Sequence, residues 1–126
     1  MSEDGERAAM TRQLLAFRDA RDWKQFHNAK DQILSLVLEA TEVLELVQWK
    51  NGDVLHRHLM EKKGELADEL ADVLGWLLLI ANDQGIDLVE AFRNKLGKNE
   101  AKYPADQARG RADKYTAYAH PPKPAS

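Results

Sequence analysis

DELADVLGWLLLIA, residues 68–81, decides the fold. Leu66, Leu70, Val73, Leu77 and Ile80 recur at the three- and four-residue spacing of one helix face. Between Leu70 and Ala81 the only charged residue is Asp72. A buried, unpaired carboxylate costs roughly several kcal/mol, so Asp72 needs a neutralising partner. The preceding apolar stretch, residues 33–47, has the same period: Ile33, Leu36, Val37, Ala40, Val43, Leu44 and Val47 share a face. Strand signals are weak, with no two-residue alternation and no hairpin dipeptide between apolar runs. The expectation is an all-α protein.

Four helices are expected. The first covers about 5–21. Asn28 caps the second, with Asp31 three residues on, and KNGD (50–53) ends it after about Trp49. The third begins between Asp53 and Leu59 and runs to about Asp83, where NDQG (82–85) stops it. The fourth runs from about Asp87 to Lys102, and Tyr103-Pro104 ends it. All four prolines lie at or beyond position 104. We therefore divide the chain into a helical domain, 1–104, and a charged, proline-containing C-terminal tail, 105–126, in which AHPPKPAS (119–126) is expected to be disordered.

The chain has 126 residues, enough for one core. Its net charge of −3 gives no reason to expect a nucleic acid or an anionic membrane surface as partner. With no cysteine, disulfides, thiolate catalysis and Cys-zinc sites are excluded. The apolar run Val73–Ala81 is too short to span a bilayer, and the acidic N-terminus does not read as a targeting peptide. A cytoplasmic location is expected.

The acidic residues are placed unusually. Glu39, Glu42 and Glu45 are interleaved with leucines rather than gathered on a polar face. Glu69 and Asp72 flank Trp76 on the third helix, with Glu65 and Asp68 one turn earlier as ordinary solvated positions. Glu39/Glu42 and Glu69/Asp72 are each spaced i, i+3, which sets two carboxylates side by side. If the two helices pack, four carboxylates converge, and they repel unless cations compensate them. Oxygen-only ligands suit a hard divalent cation, Mg²⁺ with Mn²⁺ as substitute. The Glu-x-x-His pairs of di-iron bundles are missing: His27, His56, His58 and His120 stand at no such spacing.

These residues resemble the MazG-like, all-α nucleoside triphosphate pyrophosphohydrolases, in particular their dCTP pyrophosphatase-like branch. The stretches that match are RDWKQFH (21–27), SLVLEATEVLELVQWK (35–50), DELADVLGWLLLIA (68–81), GIDLVEAFRNKLGKNEAKYP (85–104) and KYT (114–116). The resemblance implies a four-helix-bundle core that assembles through helix packing between subunits as a homo-oligomer, dimer or tetramer. It implies Mg²⁺-dependent hydrolysis of a (deoxy)nucleoside triphosphate between its α- and β-phosphates, giving the monophosphate and pyrophosphate. It places the catalytic metal ligands on Glu39, Glu42, Glu69 and Asp72; our own expectation is that Glu39 or Glu42 also orients the attacking water or takes its proton.

Phosphates need positive donors. Lys95, Asn99 and Lys102 share one face of the fourth helix and Tyr103 follows, and the resemblance places phosphate contacts at Lys95 and Asn99. Arg109, Arg111, Lys114 and Tyr115 are tail residues that could close over the phosphates. A nucleobase needs flat apolar surfaces with a few polar groups. Phe17, Trp23, His27, Trp49 and Trp76 are the candidates, and Trp23 and Trp49 match the family's base-pocket aromatics. The expected substrate is dCTP or a related pyrimidine dNTP. Two departures keep a broader dNTP or dUTP activity open: Trp76 stands where the family often has tyrosine, and Leu14 where relatives nearest the animal enzymes have histidine. The rival from another class is a non-catalytic helical nucleotide-binding or regulatory protein.

Overall fold

The computed structural model of the protein describes residues 3–118, with side chains from Gly5 onward. The disorder expected of 119–126 lies outside the described residues. The elements among them are helical: α1 (Glu3–Ala20), a 3₁₀ turn (Lys24–Phe26), α2 (Ala29–Glu45), α3 (Gly52–Glu61), α4 (Lys63–Gln84), α5 (Leu88–Lys102), α6 (Ala105–Ala108) and a second 3₁₀ turn (Tyr115–Ala117). The expected all-α class holds. No helix among the described residues is long and apolar enough to cross a membrane.

Local chemistry sets most helix ends. The Asn28 side chain accepts from the Asp31 N–H at 2.9 Å and so caps α2. At the end of α4, Gly85 takes a left-handed φ of 66°, and the Ile86 N–H returns to the Ala81 carbonyl at 2.8 Å. Asp87 caps α5 by accepting from the Val89 and Glu90 N–H groups at 3.0 and 3.1 Å. Two boundaries differ from expectation. Helix α2 ends at Glu45, and residues 46–50 continue as tight turns closed by i to i+3 bonds. The expected third helix is two helices, α3 and α4, broken at Lys62, whose backbone (φ −103°, ψ 21°) leaves the helical region.

The described residues form two compact units, the first ending at Ile86 and the second beginning at Asp87. In the first, α4 is the central helix: α2, α1 and α3 all pack on it. Leu78, Leu79 and Ala81 of α4 are buried there, together with two polar residues, Arg18 and Gln32. The faces expected to be core are only partly covered. Ile33, Val37 and Leu44 of α2 are each more than half exposed, as is Leu70 of α4. Within this chain, α2 buries little of its most apolar stripe.

The second unit contains α5, α6 and the stretch to Tyr118. A loose tail was expected beyond Pro104, yet Tyr118 is buried. The Tyr103 ring meets Tyr115 and Tyr118 edge-on, with centroids 5.8 and 6.0 Å apart. Arg111 lies 4.6 Å from the Tyr118 ring centre and donates from Nε to Asp113 at 2.9 Å. Aromatic edges and one cation thus order a segment whose composition reads as solvated.

Candidate functional site

The packing of α2 on α4 brings the acidic pairs together. Ligand oxygens of Glu39, Glu69 and Asp72 all lie within 4.8 Å of one another. Glu42 is not in that group of three, but it acts on it, raising the carboxyl pKa of both Glu39 and Glu69. Glu39 and Glu69 are half-buried, and Oε2 of each is sealed from water without a donor. Asp72 is the exposed member, which corrects the expectation of a carboxylate set in an apolar environment: it faces an open cavity.

Crowding has an electrostatic consequence. The Glu69 carboxyl is pushed up to about 7, first by its contact with Glu42, then by burial and the charges of Glu42, Asp72 and Glu39. Glu39 is also raised, by burial first and then by Glu42 and Asp72. Two acceptors can share a hydrogen bond only when one carries a proton, so the cluster lacks positive charge of its own. Sealed carboxylate oxygens without donors, all on hard oxygen ligands, fit a divalent cation.

Beside the acids lies a cavity of about 240 Å³. Phe17, Trp23, His27 and Trp76, four of the five expected base-binding residues, line it, together with Leu14, Arg18 and Asp72. Local backbone geometry sets its rim. Asp22 ends α1 with φ of 53°, unusual for a non-glycine residue, and Gln25 Nε2 donates to its carbonyl and its carboxylate at 2.9 Å each. That reversal turns Trp23 back toward Phe17, with ring centroids 5.7 Å apart and edge-on. Arg21 covers the Phe17 ring at 3.6 Å. His27 and Trp76 sit with centroids 5.3 Å apart. Trp49 is not a lining residue. It lies in the turn after α2, 84% exposed, with little of this chain to pack on.

The remaining candidates belong to the second unit. Lys95 and Asn99 are exposed on α5, Lys102 approaches the Tyr115 ring at 5.5 Å, and Tyr103 joins the tyrosine cluster.

One group of residues escaped the sequence reading. Arg18, on α1, donates to both oxygens of Asp83 on α4, at 2.7 and 3.2 Å. Gln32 of α2 donates to Asp83 Oδ2 at 2.7 Å. The three packed helices are therefore tied at one carboxylate. Arg18 holds the Asp83 carboxyl down to about 2, with Gln32 and Asn82 helping and burial opposing. A carboxyl whose folded pKa is depressed adds stability above its unfolded value of 3.8. That contribution, on the order of 2 kcal/mol, is fully present above about pH 4 and is lost as pH falls toward about 2. Urea unfolding at pH 5 and pH 2.5 measures it. Asp83→Asn should flatten this part of the pH dependence.

These features define a class: a helical protein whose carboxylates gather beside an aromatic cavity. The chain belongs to the MazG-like family, whose profile matches residues 34–117. It is 37% identical over 102 residues to dCTP pyrophosphatase 1 of Mus musculus, covering 79% of this chain and 60% of that protein. It is 38% identical over 106 residues to dCTP pyrophosphatase 1 of Homo sapiens, covering 82% of this chain and 62% of that one. The chain thus spans about three fifths of the length of these relatives. Among solved structures, that of a pyrophosphatase from Archaeoglobus fulgidus superposes with a TM-score of 0.74 at 35% identity, covering 82% of this chain and 95% of that one.

Proposed function

We propose that the protein is a divalent-metal-dependent nucleoside triphosphate pyrophosphohydrolase acting on pyrimidine deoxynucleotides, dCTP foremost. The observation that carries this reading is the convergence of Glu39, Glu69 and Asp72 beside an aromatic cavity that Asp72 itself lines. The names of the relatives support the nucleotide as substrate. At about 240 Å³ the cavity is smaller than the ~300–1,000 Å³ of pockets for drug-sized ligands. It suits a single base, with the phosphates left outside near the acids.

Each group has a task in this reading. Phe17, Trp23, His27 and Trp76 enclose the base. Glu39, Glu42, Glu69 and Asp72 hold the cation, Mg²⁺ by ligand type, with Mn²⁺ able to replace it. The chemistry such a cation supplies is neutralisation of phosphate charge and acidification of nearby water. Glu39 or Glu42 accepts the proton of the water that attacks the α-phosphorus. The α–β bridging bond breaks, leaving a nucleoside monophosphate and pyrophosphate. Lys95 and Asn99, by the family resemblance, and Lys102 and Tyr103, by their ammonium and hydroxyl groups, are the proposed phosphate-binding residues.

The uncovered apolar stripe on α2 and α4 suits a second copy of the chain. Leu34, Leu38 and Leu74 are 53%, 57% and 42% exposed. Leu78, which the sequence groups with them, is buried within the chain. Trp49 would serve a base site only across such a contact. Light scattering should give a dimer or tetramer of the 14.3 kDa chain, and Leu38→Glu should shift it to the monomer.

Initial rates of pyrophosphate release from dCTP, dUTP, dTTP, dATP and CTP test the substrate. We expect dCTP to lead. Equal rates across the bases would keep the metal reading and favour the broad-specificity alternative, to which Leu14 and Trp76 point. Tight nucleotide binding without turnover would make the chain a regulatory binder.

A further inference from the structure

The polar end of the aromatic cavity has a definite hydrogen-bonding sense. Arg18 is 3% exposed and clamped through two bonds to Asp83, which Gln32 also holds. Its NH1 atom, besides serving Asp83, lies 3.5 Å from Nδ1 of His27. A guanidinium offers only N–H donors and keeps its proton throughout the accessible pH range. The ring nitrogen facing it can accept from the guanidinium only as the bare one. In a neutral imidazole the proton then sits on Nε2. Burial and the charge of Arg18 push the His27 pKa down, against the pull of Asp83, which favours that neutral ring.

We infer that Arg18, fixed by Asp83 and Gln32, holds His27 as its Nε2–H tautomer, so that His27 donates a hydrogen bond to an acceptor atom of the nucleobase in the cavity. The inference rests on the nucleotide reading above. Arg18 is a positioning residue; His27 determines specificity. Two base atoms offer the required acceptor. Carbonyl O2 is common to cytosine, uracil and thymine, whereas N3 is an acceptor in cytosine and protonated in the other two. A donor at N3 selects cytosine, and a donor at O2 selects pyrimidines as a group.

The ¹⁵N-labelled 126-residue chain tests this by a long-range ¹H–¹⁵N spectrum of its histidines at pH 8 in chelator, with His27 assigned from the His27→Gln variant. The expected pattern is a protonated Nε2 and a bare Nδ1; a protonated Nδ1 overturns the inference. In folded Arg18→Met the second tautomer should appear beside the first, and an unchanged pattern removes the positioning role. Kinetics add a readout that does not depend on that variant folding. Glutamine places its amide nitrogen near the Nε2 position, and asparagine near Nδ1. His27→Asn should raise the KM for dCTP roughly tenfold more than His27→Gln does, because only glutamine keeps a donor at the Nε2 position. If the acceptor is N3, His27→Asn also erases the preference for dCTP over dUTP; if it is O2, both KM values rise together. Equal KM values for the two variants overturn the donor role. Absence of pyrophosphate release by the unmutated protein would defeat the functional reading instead, and the tautomer would still be read from the spectrum.

Discussion

Glu69→Gln is expected to lower pyrophosphate release by roughly 100-fold or more, because a ligand of a Lewis-acidic cation supports several kcal/mol of transition-state stabilisation. The same change should not destabilise the metal-free protein. Glu69 sits among Glu39, Glu42 and Asp72 with one oxygen sealed and without a donor. A glutamine amide removes one like charge and supplies a donor to a neighbouring carboxylate. The melting temperature in chelator should stay level or rise. Saturating Mg²⁺ separates the two proteins further. A ligand at a hundred times its Kd stabilises the folded state by about 2.7 kcal/mol, and this gain should appear in the unmutated chain and shrink in Glu69→Gln. A carboxylate kept for folding would behave in the opposite way, losing stability on substitution with or without metal. Thermal melts in chelator and in Mg²⁺, read beside activity, check both halves.

Asp83→Ala should have the largest effect on folding. It leaves the Arg18 guanidinium, 3% exposed, without its bidentate partner, and it strips Gln32 of its acceptor. Removing one member of a buried pair costs roughly 3–5 kcal/mol, because the other charge stays buried and uncompensated. Arg18→Met alone should be similarly costly. Arg18→Met with Asp83→Ala should cost much less than the two single changes added together, since no charge is then left in the interior. Urea midpoints for the four proteins of this cycle measure the coupling. Additive losses would mean that the pair contributes packing and little more.

How far the sequence reads can be followed at particular residues. Asn28 and Gly85 mark helix ends by local chemistry, and both ends fall where a side-chain cap and a left-handed turn require them. The break at Lys62 is only weakly marked: Glu61 and Lys63 are good helix formers, and Gly64 just beyond it is the one residue that disfavours a helix there. The convergence of Glu39, Glu69 and Asp72 was legible because i, i+3 spacing on two apolar helices leaves few other arrangements once the helices pack. The Arg18–Asp83 pair was not. Its members are 65 positions apart, and each reads alone as a surface charge. Periodicity finds an apolar face but not what covers it, which is why Ile33, Val37 and Leu44 read as core and stand exposed in the single chain.

The central claim is that these carboxylates direct water to the α-phosphorus of a nucleoside triphosphate. The most direct test follows dCTP by ³¹P NMR with the protein and Mg²⁺, then with chelator in excess. Growth of pyrophosphate and dCMP resonances in step, stopped by the chelator, is the predicted result. Formation of dCDP and orthophosphate, or a spectrum that does not change with Mg²⁺ present, would contradict it.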